Sequence, residues 1–585
     1  MTDETSRRHT EIRDGMRIDW DAPIPASDGV ALSCDVYRPT GDGRYPAIVS
    51  YGPYAKGLSF SEGYAPQWEK MVSEHPDVLS GSSGRYASWE VVDPEKWVPD
   101  GYACVRVDSR GAGSSPGYID VWSPREARDL YECIEWAAVQ PWCTGKVGLS
   151  GISYYAMNQW HVAGLQPPHL SAMIPWEGAA DFYRDVTHHG GILCEFTANW
   201  YARQVETVQH GLGKRAPSNP NTGEPVAGSK ALADDELAGR RADLGAQVRD
   251  QPLDSRWYRD RSAHWSRVTV PFLSAANWGG QGLHPRGNFE AFTQSASRQK
   301  WLEVHGLEHW THFYTNYGVS LQRRFFEHFL KGADNGFDRT PPVRLNIRHP
   351  GDRFTARDEQ EWPLARTEWT TLYLDAATKS LTRVRPVREA SIPYEALGEG
   401  ITFTLPPLSD QLEITGPAAA KLFISSSTQD ADLFLVVRAF GPDGAEVTFQ
   451  GALDPNTPVA QGWLRASHRR LDPERSLPYR PYHSHDHSEP LAPGAVYELD
   501  IEIWPTCIAL PPGYRVALSV RGKDYEYDGE TGEFARTFYY ANRGVGPFTH
   551  NDPSDRPREL FGGTVAVYTG GPYASHLLLP VIPAA

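Results

Sequence analysis

The sequence predicts an α/β core with an inserted helical cap, followed by an all-β domain of jelly-roll type, and three observations carry that prediction. Residues 27 to 170 alternate β-rich runs with helical patterns, the order of a sheet covered by helices on both faces. A short apolar strand, Lys146 to Leu149, enters a Gly-x-Ser turn and leaves as a helix. Beyond about residue 340, short β runs are separated by Pro/Gly turns such as Gly441-Pro442-Asp443-Gly444, the pattern of a sandwich or jelly roll.

In chain order, the strands expected of the core are Val30 to Tyr37, Pro46 to Tyr51, Ala103 to Asp108 and Lys146 to Leu149. Ser123 is placed to cap a helix that opens on Pro124 and runs to Ala138 with apolar residues at helical spacing, the crossover before the fourth strand. After about residue 179 the strand pattern lapses, and the polar, Pro- and Gly-containing run from 211 to 228 reads as a loop within an inserted cap. The sheet resumes at Val270 to Ser274 and Trp301 to Val304, and a helix over Ser320 to Leu330 closes it. The expected division is therefore core 1–178, cap 179–265, core 266–337 and β domain 338–585, the last with strands such as Lys421 to Ser425, Leu433 to Phe440, Tyr497 to Trp504 and Arg515 to Val520.

A chain of 585 residues is too long for one ordinary core. With 40% hydrophobic and 22% charged residues it should fold throughout. A formal charge of −16 with scattered Lys and Arg argues against nucleic acid as a partner. The six cysteines form no Cys-x-x-Cys pair, so reduced core thiols are expected, with neither a zinc site nor a disulfide scaffold. No apolar run resembles a signal peptide or reaches transmembrane length, which makes a cytoplasmic enzyme without membrane contact the expectation.

The sharpest motif is Lys146-Val147-Gly148-Leu149-Ser150-Gly151-Ile152-Ser153-Tyr154-Tyr155-Ala156. A tight strand-to-helix turn pushes a serine Oγ out of the sheet, and the helix N-terminus offers backbone N–H groups to a developing oxyanion, the nucleophile elbow of an α/β-hydrolase core. The generic Gly-x-Ser-x-Gly is incomplete because Tyr155 replaces the second glycine. Ser150 offers a competing frame, but a helix that starts at the nucleophile favours Ser153. Upstream, Ile48 to Lys56 is a strand entering a Pro-Tyr loop. There the Tyr54 hydroxyl can join the Tyr154 backbone N–H in an oxyanion hole, unless Tyr54 merely packs beneath the loop.

At this point the chain resembles the family of cocaine esterase, α-amino-acid ester hydrolase and X-Pro dipeptidyl-peptidase. Pro53-Tyr54-Ala55-Lys56, Asp108-Ser109-Arg110-Gly111 and Gly151-Ile152-Ser153-Tyr154 carry the resemblance. It extends to Asp28-Gly29-Val30 and Asp35 to Pro39 near the start, and to Ile414 to Pro417 and Gly462 to Ser467 in the β domain. The resemblance implies an α/β-hydrolase core, a helical cap and a jelly-roll domain.

Three histidines follow the strand at 301–304: His305, His309 and His312. The family's placement of its base a few residues beyond a glycine selects His309. Its acid should follow an aromatic and one further residue, yet in Ala276-Asn277-Trp278-Gly279-Gly280 that position is Gly280. Glycine cannot orient an imidazole. Some α/β-hydrolases supply the acid from the strand after the nucleophile helix, and Leu170 to Glu177 ends in Glu177 at the sheet edge where catalytic groups collect. Glu177 is therefore the expected acid, with Asp181 as the alternative and an ion pair from Glu177 to Arg184 as the structural one.

Two further motifs carry less. Asp108 to Ser115 lacks the Gly-Lys-Ser/Thr ending of a phosphate loop and reads as a turn. His483, His485 and His487 alternate in what reads as a polar loop, with metal binding disfavoured. The leading expectation is a cofactor-free serine hydrolase cleaving a small-molecule ester or amide through an acyl-enzyme. Two alternatives stand beside it: an X-Pro aminopeptidase in which Glu195 and Asp185 hold a substrate amine, and a catalytically degenerate binding protein. A jelly roll on a hydrolase core also leaves surface for self-association into homo-oligomers.

Overall fold

The computed structural model describes residues 7–530, 536–537, 540–541 and 543–583. One sheet of eleven strands organises the first part: β1 His9–Arg13, β2 Met16–Pro25, β3 Ala31–Pro39, β4 Tyr45–Gly52, β5 Ala103–Asp108, β6 Cys143–Ile152, β7 Leu170–Trp176, β8 Phe272–Asn277, β9 Lys300–His305, β10 Val343–His349 and β11 Arg353–Glu359. Their order is β1-β2-β3-β5-β4-β6-β7-β8-β9-β10-β11. Strands β5 through β10 run parallel, and antiparallel strands flank them. The order reverses at β4 and β5, so the carboxyl ends of β4 and β6 open onto a crevice.

The helices follow from local chemistry. Helix α1, Pro124–Ala138, begins where expected: Ser123 Oγ accepts from the Glu126 N–H at 3.3 Å, with proline in the first turn. Its buried side carries Leu130, Cys133, Ile134 and Ala137 at helical spacing. Helix α2, Tyr154–Leu165, is buried on nearly every side. A helix enclosed in this way carries no polar stripe, so its sequence shows no amphipathic period. Helices α3, Pro285–Gln294, and α4, Asn316–Lys331, complete the layers.

Strands β1 and β2 were not expected, although Met16, Ile18 and Trp20 alternate inward along β2. Nor does the sheet end near residue 337, since β10 and β11 extend it to Glu359. The segment between β7 and β8 consists of short helical turns and one small hairpin, His188–His189 with Ile192–Leu193. No helix among the described residues is long and apolar enough to cross a membrane.

From Glu368 onward the chain is built on β-strands, with only the short turns Ala466–His468 and Arg558–Phe561 helical among the described residues. Its last strand, His576–Ile582, pairs with both Glu368–Asp375 and Leu412–Ser426, which closes nine strands into a ring around a separate apolar core. This domain grips the end of the first sheet. The buried Arg348 of β10 donates to the carbonyls of Cys507 (2.8 Å) and Val459 (2.9 Å), and Ala276 and Trp278 share a cluster with Cys507 and Ala509.

Candidate active site

Ser153 stands between β6 and α2 with φ = 57°, a strained conformation for a side chain larger than glycine and the hallmark of an elbow. The turn is tight because the residues around it are small. A Cβ at Gly151 would lie 2.4 Å from Tyr155 Cβ, and one at Gly178 would lie 2.9 Å from that of Ala156. The Tyr154 N–H is the first of α2, so it has no acceptor within the helix. Ser150, by contrast, is buried and donates to Gln322 Oε1 at 3.1 Å.

Tyr54 lies at the end of β4, packed edge-on against Tyr154 and Tyr155. Its hydroxyl accepts from Trp200 Nε1 at 3.0 Å, which leaves its own proton to donate. The loop is fixed from below by Lys56, whose backbone N–H donates to Asp108 (2.6 Å) and whose buried ammonium pairs with Asp21 (2.7 Å) and Asp35 (3.0 Å). Asp108 also accepts from the Ser114 N–H, so the loop after β5 is held as a structural turn.

Glu177 caps β7 with φ = 51° and is fully buried. Its Oε2 meets His309 Nδ1 at 2.9 Å. Its Oε1 meets His305 Nε2 at 3.1 Å and accepts from Asn277 Nδ2 at 3.1 Å. Although burial opposes its charge, the His309 and His305 partners hold this carboxyl well below the usual range. Glu177 makes no ion pair with Arg184, which binds Asp181 and Asp254 instead. Asp181 is committed to that pair and to the backbone N–H groups of Tyr183 and Arg184. Gly280 carries no carboxylate, and the end of β8 contributes Asn277, which clamps Glu177 and the Leu307 carbonyl (2.8 Å).

His309 sits between two carboxylates, with Nε2 facing Glu90 Oε1 at 2.8 Å. Against the effect of burial, Glu177 and Glu90 push its pKa up to about 10. Burial raises Glu90 to about 7. The β domain helps place this loop, since the His309 N–H donates to the Ala452 carbonyl at 3.1 Å. Ser153 and His309 do not bond directly. Ser153 Oγ lies 3.0 Å from His284 Nε2, and the His284 ring stands perpendicular to that of His309 with centroids 5.0 Å apart. Burial lowers His284 to about 3 and keeps it neutral. His305 turns its Nδ1 to Glu303 at 2.7 Å and rises to about 9, while burial lowers His312 to about 3.

Sequence reasoning did not single out Glu90 or His284. Glu90 is an acid inside the apolar run Trp89 to Val92 on the long β4–β5 connection, and His284 precedes the Pro285 that opens α3. An ionisable residue against an apolar run or a helix start was the available signal. Of the acids considered for a substrate amine, Asp185 pairs with Arg286 at 2.9 Å. Glu195 accepts from Thr549 Oγ1 and the Asn551 N–H. His483 and His485 are buried rather than loop-exposed, and His485 Nδ1 lies 3.1 Å from His468 Nδ1.

Comparisons with known proteins bear on the family and the fold. The sequence model of the X-Pro dipeptidyl-peptidase (S15) family matches residues 28–314, and that of the X-Pro dipeptidyl-peptidase C-terminal non-catalytic domain matches 335–577. A cocaine esterase from Rhodococcus sp. is 25% identical, over 96% of this chain and 97% of its own. The crystal structure of a CocE/NonD family hydrolase from Staphylococcus aureus superposes with a TM-score of 0.82 at 31% identity, covering 97% of this chain and 94% of the other. An α-amino acid ester hydrolase shares the fold with a TM-score of 0.65 at 15% identity, over 99% of each chain.

Proposed function

Since the chain belongs to the CocE/NonD family of hydrolases and is a serine hydrolase, we propose that it is an acyl-esterase with Ser153 as nucleophile and His309 and Glu177 as base and acid. The observation that carries this reading is Ser153 on its strained turn, with its Oγ on an imidazole and a Glu177–His309 pair alongside. Attack forms a Ser153 Oγ–carbonyl bond as the hydroxyl proton passes to imidazole. The oxyanion accepts from Tyr54 O–H and the Tyr154 N–H, collapse expels the alcohol with that proton, and water repeats the sequence on the acyl-enzyme. No cofactor enters these steps.

His309 can act as base only when neutral and released from Glu90, so rate rises with pH as that cluster loses its proton. The 3.0 Å contact to Ser153 favours a second reading, in which His284, already neutral, takes the proton directly. An ester substrate is preferred to an X-Pro peptide because Asp185 and Glu195 are both engaged and neither is free to hold an amine. Glu177 beside His309 speaks against a degenerate binding protein. The ring of strands around one core in the β domain supports reading it as a jelly-roll unit.

Fluorophosphonate labelling with peptide mapping tests the scheme. A Ser153 adduct is expected, with labelling slowed about 10³-fold or more in His309→Ala. Loss confined to His284→Ala would transfer the base role, and absence of a Ser153 adduct in folded protein would overturn the assignment. An X-Pro anilide turned over faster free than N-blocked would favour the peptidase.

A further inference from the structure

His189, Cys194 and His550 converge where the cap meets the β domain. All three are buried, and one ligand atom from each lies within 4.8 Å of the others. His189 lies in the first strand of the cap hairpin and Cys194 follows its second, whereas His550 belongs to the β domain, 361 residues away from His189. The hairpin tip is pressed onto that domain: a Cβ at Gly190 would lie 2.1 Å from the Trp463 carbonyl oxygen. The rings of Trp463 and Trp504 cover His189 at 4.8 and 5.5 Å.

The hydrogen bonds fix how the rings are turned. His550 Nδ1 lies 2.7 Å from Asp524 Oδ1, an acceptor, so that nitrogen carries a hydrogen. His189 Nε2 lies 3.2 Å from the Asp185 carbonyl oxygen, also an acceptor. The remaining nitrogens, His189 Nδ1 and His550 Nε2, face each other at 2.8 Å. In that tautomer of His189 both present lone pairs and a cation between them satisfies both, whereas the other tautomer lets His189 Nδ1 donate to His550 Nε2 directly. A shared proton would satisfy the two nitrogens alone. Cys194 adds a third, softer donor at the same point.

We propose that His189 Nδ1, His550 Nε2 and Cys194 Sγ bind a zinc ion that staples the cap to the β domain. Imidazole and thiolate are zinc's preferred ligands, and carboxylate and carbonyl partners on the outer ring nitrogens are the supports that zinc histidines use. On binding, the Cys194 S–H bond gives way to S–Zn and one proton leaves to solvent. The dication is then balanced by the thiolate and Asp524. Three protein ligands leave one tetrahedral position for a small exogenous ligand.

The test uses the full-length protein, freed of metal by chelation and reloaded with Zn²⁺ or Co²⁺. One equivalent of zinc by elemental analysis is expected, together with a thiolate-to-cobalt charge-transfer band in the near ultraviolet. Cys194→Ser should abolish that band and weaken zinc binding at least about tenfold, and chelation should lower the wild-type Tm by several degrees. The cobalt spectrum of the wild type stands even if the variant fails to fold. Substoichiometric zinc with no charge-transfer band in folded wild type would overturn the proposal and leave a proton-bridged pair of histidines.

Discussion

At the scale of single residues, the site is a chain of protons shared among buried groups. His309 lies between Glu177 and Glu90, so removing one carboxylate changes when the imidazole becomes neutral. Glu90 raises the His309 pKa. Glu90→Gln should therefore lower it, and the alkaline-favouring limb of the kcat/KM profile should move to lower pH. An unchanged profile would show that Glu90 does not reach His309 in the working enzyme. Tyr54→Phe keeps the ring packed against Tyr154 and removes only the O–H, so kcat should fall about 10²- to 10³-fold with little change in KM. The positions of Ser153 and Tyr54 were legible because each stands next to a strand end that the sequence marks. Glu90 and His284 were not legible, because their role depends on loops that meet only in the folded chain.

At the scale of elements, local signals were strong wherever one face of an element meets water. Helix α1 starts and stops where its cap and apolar spacing place it. Ser123→Ala should cost about 1 kcal/mol, read as a shifted denaturant midpoint at unchanged slope. A loss below a few tenths would mean that Pro124 and packing alone define the start. Helix α2 carries no such signal because it is enclosed, and only the strand before it and the small residues around Ser153 announced it. Strands β10 and β11 lie past the expected boundary at 337 yet pair with the first sheet. A strand's own sequence does not say which sheet it will join.

At the scale of the whole molecule, the buried charges couple stability to pH. His309 and His305 have folded pKa values raised to about 10 and about 9, above the ordinary 6.5. Their contribution is complete below about pH 6.5 and is lost as pH rises through 9 to 10. Glu177 is held below its ordinary 4.5, so its contribution is present above about pH 4.5 and is lost on acidification. Thermal unfolding should show Tm falling on both sides, and Glu177→Gln should flatten both limbs. Limbs of equal steepness in that variant would place the pH dependence elsewhere. The β domain shares in the site as well, since Ala452 holds the His309 backbone and a Cβ at Gly279 would lie 2.4 Å from Gly451 Cα.

The sequence by itself determined the α/β-then-β plan, the elbow at Ser153, the Tyr54 loop and the histidine-bearing turn after β9, because each is written in contiguous residues obeying a local period or turn rule. It also pointed to Glu177 once Gly280 had emptied the family's acid position. Only the tertiary structure decided that His284 lies on Ser153, that Glu90 lies on His309, and that two histidines and a cysteine meet between cap and β domain. Those contacts join residues up to 361 positions apart. No local pattern encodes them, and packing alone brings them together.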